Sequence, residues 1–303
     1  MRGGFASDFW PFSPHASASR LRVSAICREA NENDCIRYSC ILSDESVAKV
    51  RNMSDELENP NNWVTGNITF QANGQSLELK VTIPKIPIHP QRMLPVLQQM
   101  SNAFVNLAVK QVEADGKTVQ CKAGCGACCR QLVPISHLEA RQLSELVDRL
   151  PEPRRTEIVG RFKDALERLN KANLLELLKD PEKFSDEANG SVGVDYFRLG
   201  IPCPFLEQES CSIHPDRPVA CREYLVTSPS DACARAVPQS IQTVPVLVQL
   251  SSAMIRLSPQ GPSRFIPYVP LVLAIDWANS KEDEFQEMTG PDILSQVMKN
   301  LAG

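Results

Sequence analysis

The stretch that decides how this chain folds reads Cys121-Lys-Ala-Gly-Cys125-Gly-Ala-Cys128-Cys129, with four cysteines in nine residues. A single buried cysteine usually behaves as a small apolar side chain, but four in one short segment need another explanation. Thiolates separated by two residues can bind one metal ion, because the turn between them directs both sulfur atoms inward. Thiolates at this density would otherwise repel one another strongly, and a cation removes that cost. The segment therefore predicts a metal-binding loop.

A second group of cysteines follows after 73 intervening residues and consists of Cys203, Cys211, Cys221 and Cys233. The two groups together supply eight candidate thiolate ligands, a number that suits two four-thiolate sites. His214 could replace one cysteine, although we expect it to form structural hydrogen bonds instead. Zinc and iron, the latter also as an iron–sulfur cluster, are the metals that favour such ligands.

The composition is that of an ordinary globular protein and argues against several function classes. Of the 303 residues, 43% are hydrophobic and 22% are charged, and the formal net charge is −4. Because this gives no basic footprint, we expect no nucleic-acid partner. The longest apolar run is too short to span a bilayer, so we predict no membrane association. Because no secretory signal pattern is present, we predict a cytoplasmic location, where thiols stay reduced. None of the four histidines stands in a hydrolase motif.

The hydrophobic periodicity predicts an α+β fold that is mainly helical. Apolar residues alternate over 68–72 and again over 77–83, and Asn73-Gly74 lies between the two runs. Asn-Gly flanked by alternating runs is a strong hairpin signal, because both turn positions need a positive φ. Strand–helix alternation is absent, which argues against a parallel α/β sheet. We therefore predict an N-terminal β-hairpin followed by helices.

Apolar residues at three- and four-residue steps predict amphipathic helices. These helices cover about 91–114, 136–150 and 153–170, with further helices after Pro270 and over 291–301. A capping box, Ser136-x-x-Glu139, opens the second of them. The second and third helices are joined by a short proline turn and form a predicted pair that separates the two cysteine groups. We expect this pair to bring the groups together into a cysteine-rich metal site formed by two distant loops.

The domain organisation follows from where these patterns begin. We expect residues 1–60 to be disordered or a mis-extended start, because no clear hydrophobic period is present there. The alternative is a small metal-binding arm built on Cys27, Cys35 and Cys40, but their intervals match no common ligand spacing. Residues 61–303 are predicted to form a single cysteine-cluster domain. Within it, 121–233 is the metal-binding core and 236–303 is a helical tail.

The cysteine blocks, taken in order, resemble the YkgJ-type cysteine cluster family. The matching blocks are Cys121-x3-Cys125-x2-Cys128-Cys129, Cys203-Pro-Phe-Leu, Cys211-Ser-Ile-His214 and Arg217-Pro-Val-Ala-Cys221-Arg222. That family is described as a zinc- or iron-chelating domain, so the resemblance implies metal chelation and marks the seven cysteines of these blocks as candidate ligands. Cys233 lies in a more variable stretch. Arg217 and Arg222 are expected to offset the negative charge of the thiolates.

Three function hypotheses stay open at this point. The first is a metal-binding protein whose site is structural or transfers electrons. The second is a metal- or iron–sulfur-dependent enzyme that modifies a peptide or protein side chain, as in the related flagellin lysine methylase, although no Gly-rich loop for S-adenosylmethionine is present. The enzyme hypothesis requires a metal with an open ligand position. It is supported by the adjacent pair Cys128-Cys129, of which one thiol is not needed for the first metal, and by the single His214. The third is a sensor or interaction module whose loops order when metal binds.

The first cysteine spacing also equals the cluster motif of radical S-adenosylmethionine enzymes. Those enzymes place the motif after the first strand of a long βα series. Here a helix precedes it and a helical pair follows it, so we reject that fold. The spacing still permits a cubane cluster.

Overall fold

The computed structural model describes residues 22–27, 57, 59–72, 75–235, 240–258 and 267–302 of the chain. Within these residues the protein is mainly helical, and its strands form small antiparallel groups. The predicted α+β fold class is therefore confirmed.

The strands are, in chain order, β1 (Arg22–Cys27), β2 (Trp63–Ala72), β3 (Gln75–Pro84), β4 (Pro87–Ile88), β5 (Pro134–Ile135), β6 (Leu206–Glu207), β7 (Ser210–Cys211), β8 (Val269–Pro270) and β9 (Met288–Thr289). The longer β1, β2 and β3 make one sheet, and the short strands pair as β4 with β9, β5 with β8 and β6 with β7.

The ten α-helices of the described residues are α1 (Leu94–Ala114), α2 (His137–Asp148), α3 (Arg154–Lys171), α4 (Leu175–Lys179), α5 (Asp186–Arg198), α6 (Val219–Glu223), α7 (Ser230–Arg235), α8 (Leu250–Ile255), α9 (Ala274–Ser280) and α10 (Gly290–Ala302). Among the residues that the structure describes, no helix has both the length and the apolar composition needed to cross a bilayer.

The predicted hairpin corresponds to β2 and β3, which are antiparallel and pair as far as Ala72 opposite Gln75. The turn residues Asn73 and Gly74 lie outside the described residues. The alternating pattern buries one face of the hairpin, on which Phe70 is fully enclosed. The face packs on the helices because it carries the apolar side chains of both strands.

Strand β1 belongs to the segment 1–60, and its six residues pair with β2 along their whole length. Cys27 is the last residue of this strand, whereas Cys35 and Cys40 lie outside the described residues. That the rest of the segment is disordered or mis-extended stays a prediction.

The first core forms where the sheet packs against α1 and α10. Phe70 of the sheet and Phe104 of α1 make an edge-to-face contact with ring centroids 4.7 Å apart. Such a pair adds about 0.5–1.5 kcal/mol to the gain from burial alone. The predicted helix at 91–114 begins at Leu94, because the residues Pro90–Met93 form a 3-10 turn ahead of it.

The second core lies around α2 and α3 and supports the second cysteine group. Phe162 of α3 packs edge-on against Phe205, with ring centroids 5.5 Å apart. The side chains of Cys203, Cys211 and Cys221 are partly buried against this core. The helices that the sequence places between the two cysteine groups therefore form the base on which the second group rests.

The capping box at the start of α2 is confirmed. The amide of Glu139 donates to Ser136 Oγ at 3.3 Å, and the amide of Ser136 donates to Glu139 Oε2 at 2.9 Å. His137, the first residue of α2, is buried. Its ring lies 4.4 Å from that of Trp277 (centroid to centroid), and its Nδ1 is 3.0 Å from Ser258 Oγ.

Burial, with smaller contributions from the cations of Arg141 and Lys281, lowers the pKa of His137 to about 4. In the unfolded chain the pKa of a histidine is about 6.5. Because the unfolded chain binds the proton first as the pH falls, the free energy of unfolding should decrease between about pH 6.5 and about pH 4, at no more than about 1.4 kcal/mol per pH unit.

We therefore expect the variant His137→Asn to show a weaker dependence of unfolding free energy on pH in this interval. Urea unfolding of both chains at several pH values across the interval measures the difference. Equal slopes for the two chains would contradict the assignment to His137.

Candidate metal centre

The first cysteine loop is a tight turn followed by a short 3-10 helix. Gly124 has a φ of 82°, in the left-handed region that glycine adopts without strain. The amide of Cys125 donates to the carbonyl oxygen of Lys122 at 3.1 Å, which closes the turn. The 3-10 helix Ala127–Arg130 carries the adjacent pair of cysteines. The four thiols of this loop are all partly buried.

The second cysteine group continues into the hairpin of β6 and β7, which ends at Cys211. The two turn residues, Gln208 and Glu209, have φ values of 46° and 58°. Turns of this kind usually contain Asn-Gly, and each non-glycine residue held at a positive φ costs about 1–3 kcal/mol. Contacts of the turn with the rest of the protein must therefore stabilise it.

Hydrogen bonds join the two cysteine loops directly. The amide of Cys203 donates to the carbonyl oxygen of Cys129 at 2.7 Å. The amide of Gly124 donates to Ser210 Oγ at 3.2 Å. The two segments are far apart in the sequence, and the structure brings them into contact.

An ion pair adds a second connection between the loops. Arg130 Nη1 lies 2.9 Å from Glu209 Oε2, and Arg130 Nη2 lies 2.6 Å from Glu209 Oε1. Arg130 Nη1 also donates to the carbonyl oxygen of Gly126 at 3.0 Å. A bidentate pair of this kind determines orientation as well as distance. Because the Glu209 side chain is 50% exposed, the pair contributes more to orientation than to stability.

The loops approach each other most closely at Gly126. A Cβ atom at this position would lie 2.6 Å from Glu209 Oε2, 2.7 Å from Leu206 Cδ1 and 3.2 Å from the backbone Cα of Glu209. Any side chain at Gly126 would therefore displace the side chains of Glu209 and Leu206 and crowd the backbone of Glu209.

Buried carboxylates hold both ends of α6, the five-residue helix that carries Cys221. Glu139 Oε1 accepts a hydrogen bond from the amide of Val219 at 2.7 Å, and Glu223 Oε1 accepts one from the amide of Leu250 at 2.8 Å. Burial raises the pKa of both carboxyl groups, that of Glu223 to about 8. Because so short a helix is not stable by itself, these bonds determine where Cys221 lies.

Within the first loop, the thiols disfavour each other's ionisation. A hydrogen bond with Cys129, followed by burial, raises the pKa of Cys128. Burial raises the pKa of Cys121, and the nearby thiols of Cys128 and Cys125 add to this. The amide of Val226 donates to Cys121 Sγ at 3.4 Å and opposes the shift. Metal binding would reverse this preference, because coordination requires the thiolate form.

The thiol of Cys128 also interacts with those of the second group. Burial is the largest cause of the raised pKa values of Cys203, Cys211 and Cys221. The charge of Cys128 raises all three further. The two groups are therefore close enough to act on each other across the loop contact.

Cys233 lies on α7 and is buried. Burial and the thiols of Cys121, Cys128 and Cys125 raise its pKa to about 11, whereas a hydrogen bond with Tyr224 opposes the shift. The structure thus places Cys233 beside the first loop, so that all eight candidate cysteines lie in one region.

Two arginines lie beside the thiols, as the sequence leads us to expect. The cation of Arg217 lowers the pKa values of Cys121, Cys128 and Cys211. Arg222 Nε donates to the carbonyl oxygen of Arg217 at 2.9 Å and holds this segment in place. His214 is exposed at the start of a 3-10 turn.

The donor set would fit a soft metal ion, since it consists of thiols with the cation of Arg217 nearby. Among the described residues, however, no group of three or more Cys, His, Asp or Glu side chains has the spacing of a metal site. The thiols are gathered in one region without converging on one point.

A groove of about 1090 Å³ borders the second cysteine loop. Helix α3 forms one wall and residues 201–212 form the other, which includes Cys203 and Cys211. Ligand sites in proteins commonly have about 300–1,000 Å³, so the groove has the size of a binding site. The groove therefore lies next to two of the candidate cysteines.

The sequence alone does not identify the residues that hold the two cysteine loops in place. Glu139 was identified only as a capping residue, because its bond to Val219 joins positions far apart in the chain. The hairpin that ends at Cys211 has no Asn-Gly signal, since its turn is Gln208-Glu209. No local pattern could therefore have revealed these contacts.

Comparison with known families bears directly on this region. The CxxCxxCC family model, described as "Putative zinc- or iron-chelating domain", matches residues 120–238. The match confirms the predicted resemblance over these residues and agrees with a metal-binding role. A search of curated proteins and a search of solved structures each found no match.

The close approach at Gly126 can be tested with a matched pair of variants. Gly126→Ala should lower the free energy of unfolding by about 1–3 kcal/mol, because the added Cβ overpacks the contact with Leu206 and Glu209. Gly160→Ala in α3 should raise it by about 0.5–1 kcal/mol, because a Cβ there meets nothing within 4 Å and alanine favours the helix. Urea unfolding measures both changes, and unchanged or increased stability of Gly126→Ala would contradict the assigned role of Gly126.

Proposed function

We propose that residues 120–238, the part that matches the zinc- or iron-chelating family, bind zinc or iron through thiols of both cysteine loops. The observation that carries this proposal is the direct contact between the two cysteine loops, in which the amide of Cys203 donates to the carbonyl oxygen of Cys129 at 2.7 Å. Crowded thiols resist ionisation, and a coordinated cation reverses this. Bound zinc would supply a rigid cross-link, and a bound iron–sulfur cluster would supply electron transfer.

The proposed ligands are Cys121, Cys125, Cys128, Cys129, Cys203, Cys211, Cys221 and Cys233. Their number suits two four-thiolate sites. Metal binding would draw the sulfur atoms inward from the positions described above and would tighten the loop contact. The residues that hold the loops, Arg130 and Glu209 among them, limit how far the chain must move.

Purification of the full chain without oxygen, followed by metal analysis and an absorption spectrum, tests the proposal. We expect at least one zinc or iron per chain, with a broad visible absorption if the iron is in a cluster. The variants Cys128→Ser and Cys221→Ser, one in each loop, should each lose metal, because each removes a proposed ligand.

The variant His214→Ala serves as the control and should keep its full metal content, since the imidazole is exposed and outside the proposed ligand set. Protein that holds neither zinc nor iron would overturn the proposal. Full metal content in both cysteine variants would contradict the participation of the two loops.

A second function, an enzyme acting at an open metal position, is favoured by the groove beside Cys203 and Cys211. A structural site is closed by four protein ligands, whereas a catalytic site keeps one position for substrate or water. The proposed substrate is a peptide or protein side chain, and the proposed location is the cytoplasm, where thiols stay reduced.

An exogenous ligand distinguishes the open site from the closed one. The chain is loaded with cobalt(II), and its visible spectrum is recorded as azide is added. An open position predicts a saturable spectral change, because azide enters the coordination sphere. An unchanged spectrum with the metal retained would show a closed site and would exclude this second function.

A further inference from the structure

The groove contains two arginines that share one carboxylate. Arg154 and Arg161 of α3 each donate Nη1 to Glu207 Oε1, Arg161 at 2.7 Å. Arg161 Nη1 also donates to the carbonyl oxygen of Pro204 at 3.1 Å. The Nε and Nη2 atoms take no part in these bonds. A guanidinium group presents such donors as a fork that matches the two oxygens of a carboxylate.

Exposed carboxylates lie on the same face of α3. Glu157 precedes Arg161 by four residues, Asp164 follows it by three, and both line the groove. Residues at these separations have Cβ atoms about 5–6 Å apart. The groove therefore offers positive and negative groups about one helical turn apart.

A bare patch of helix surface lies between the two carboxylates. Gly160 stands in the middle of α3, and a Cβ atom there would meet nothing within 4 Å. Glycine at such a position costs the helix about 1 kcal/mol relative to alanine, and no neighbour requires it. The opposite wall of the groove includes the partly buried apolar residue Leu206. The glycine thus leaves space for a ligand.

We propose that this groove binds an amino-acid-type zwitterion with an apolar side chain. Arg154 and Arg161 bind its carboxylate, and Asp164 binds its ammonium group, since Glu157 Oε2 already lies 3.7 Å from Arg154 Nη1. The apolar side chain lies over Gly160 against the opposite wall. In an α-amino acid the two charges are close together, which matches groups one turn apart on a helix.

The charges of the groove argue against other ligand classes. A polyanion would meet three carboxylates with only two guanidinium groups to offset them, and a simple cation would meet the two guanidinium groups. The site goes beyond metal binding and does not depend on it. Because Cys203 and Cys211 share the groove, its ligand would lie against the proposed metal site.

Equilibrium dialysis of the full chain against radiolabelled L-leucine tests the inference. We expect saturable binding to the metal-free protein, so that failure of the metal proposal leaves this result unaffected. Gly160→Leu should abolish binding by filling the bare patch, while its urea unfolding shows stability at least equal to that of the unsubstituted chain. Arg161→Gln and Asp164→Asn should each weaken binding by about tenfold or more, as expected for a lost hydrogen bond to a charged group.

The variants Arg155→Gln and Glu167→Gln are the matched controls, because they make comparable charge changes on α3 outside the groove lining. Both should bind L-leucine as the unsubstituted chain does. Acetate and methylammonium, which each carry one of the two charges, should compete more weakly than unlabelled L-leucine. The inference is overturned if no saturable binding is found, if Gly160→Leu binds equally well, or if acetate alone competes as well as L-leucine.

Discussion

Crowding of thiols in a partly buried space is the constraint on which the rest of this structure depends. Burial disfavours the thiolate form, and each neighbouring thiolate disfavours it further. The charge of Cys128, in the first group, raises the pKa values of three cysteines of the second group. Such an arrangement needs a scaffold that holds the two loops together.

The scaffold holds the loops by contacts that reach across the chain. Bonds between backbone groups and the pair of Arg130 with Glu209 join the loops to each other. Glu139 and Glu223, both buried, hold the short helix that carries Cys221. A buried carboxylate is costly unless several donors satisfy it, so these residues specify one arrangement of the helix.

The groove lies beside the second cysteine loop. One wall is a regular helix, which provides a rigid surface with charges at defined intervals. The other wall contains two of the proposed ligands, Cys203 and Cys211. A molecule bound there would lie close to any metal that these thiols hold.

The sequence was sufficient to predict structural features that depend on interactions between residues close together in the chain. The capping box of Ser136 with Glu139, the hairpin of β2 and β3 and the buried face of α1 follow from spacing and periodicity, because the interacting residues are neighbours in the chain. The cysteine pattern also marks eight candidate ligands, and their binding of a metal stays a prediction. Only the tertiary structure decided that Cys233 lies beside the first loop, that Glu139 holds a helix some eighty residues away, and that a groove runs along α3. Those features depend on contacts between distant segments, whose energies no local pattern contains.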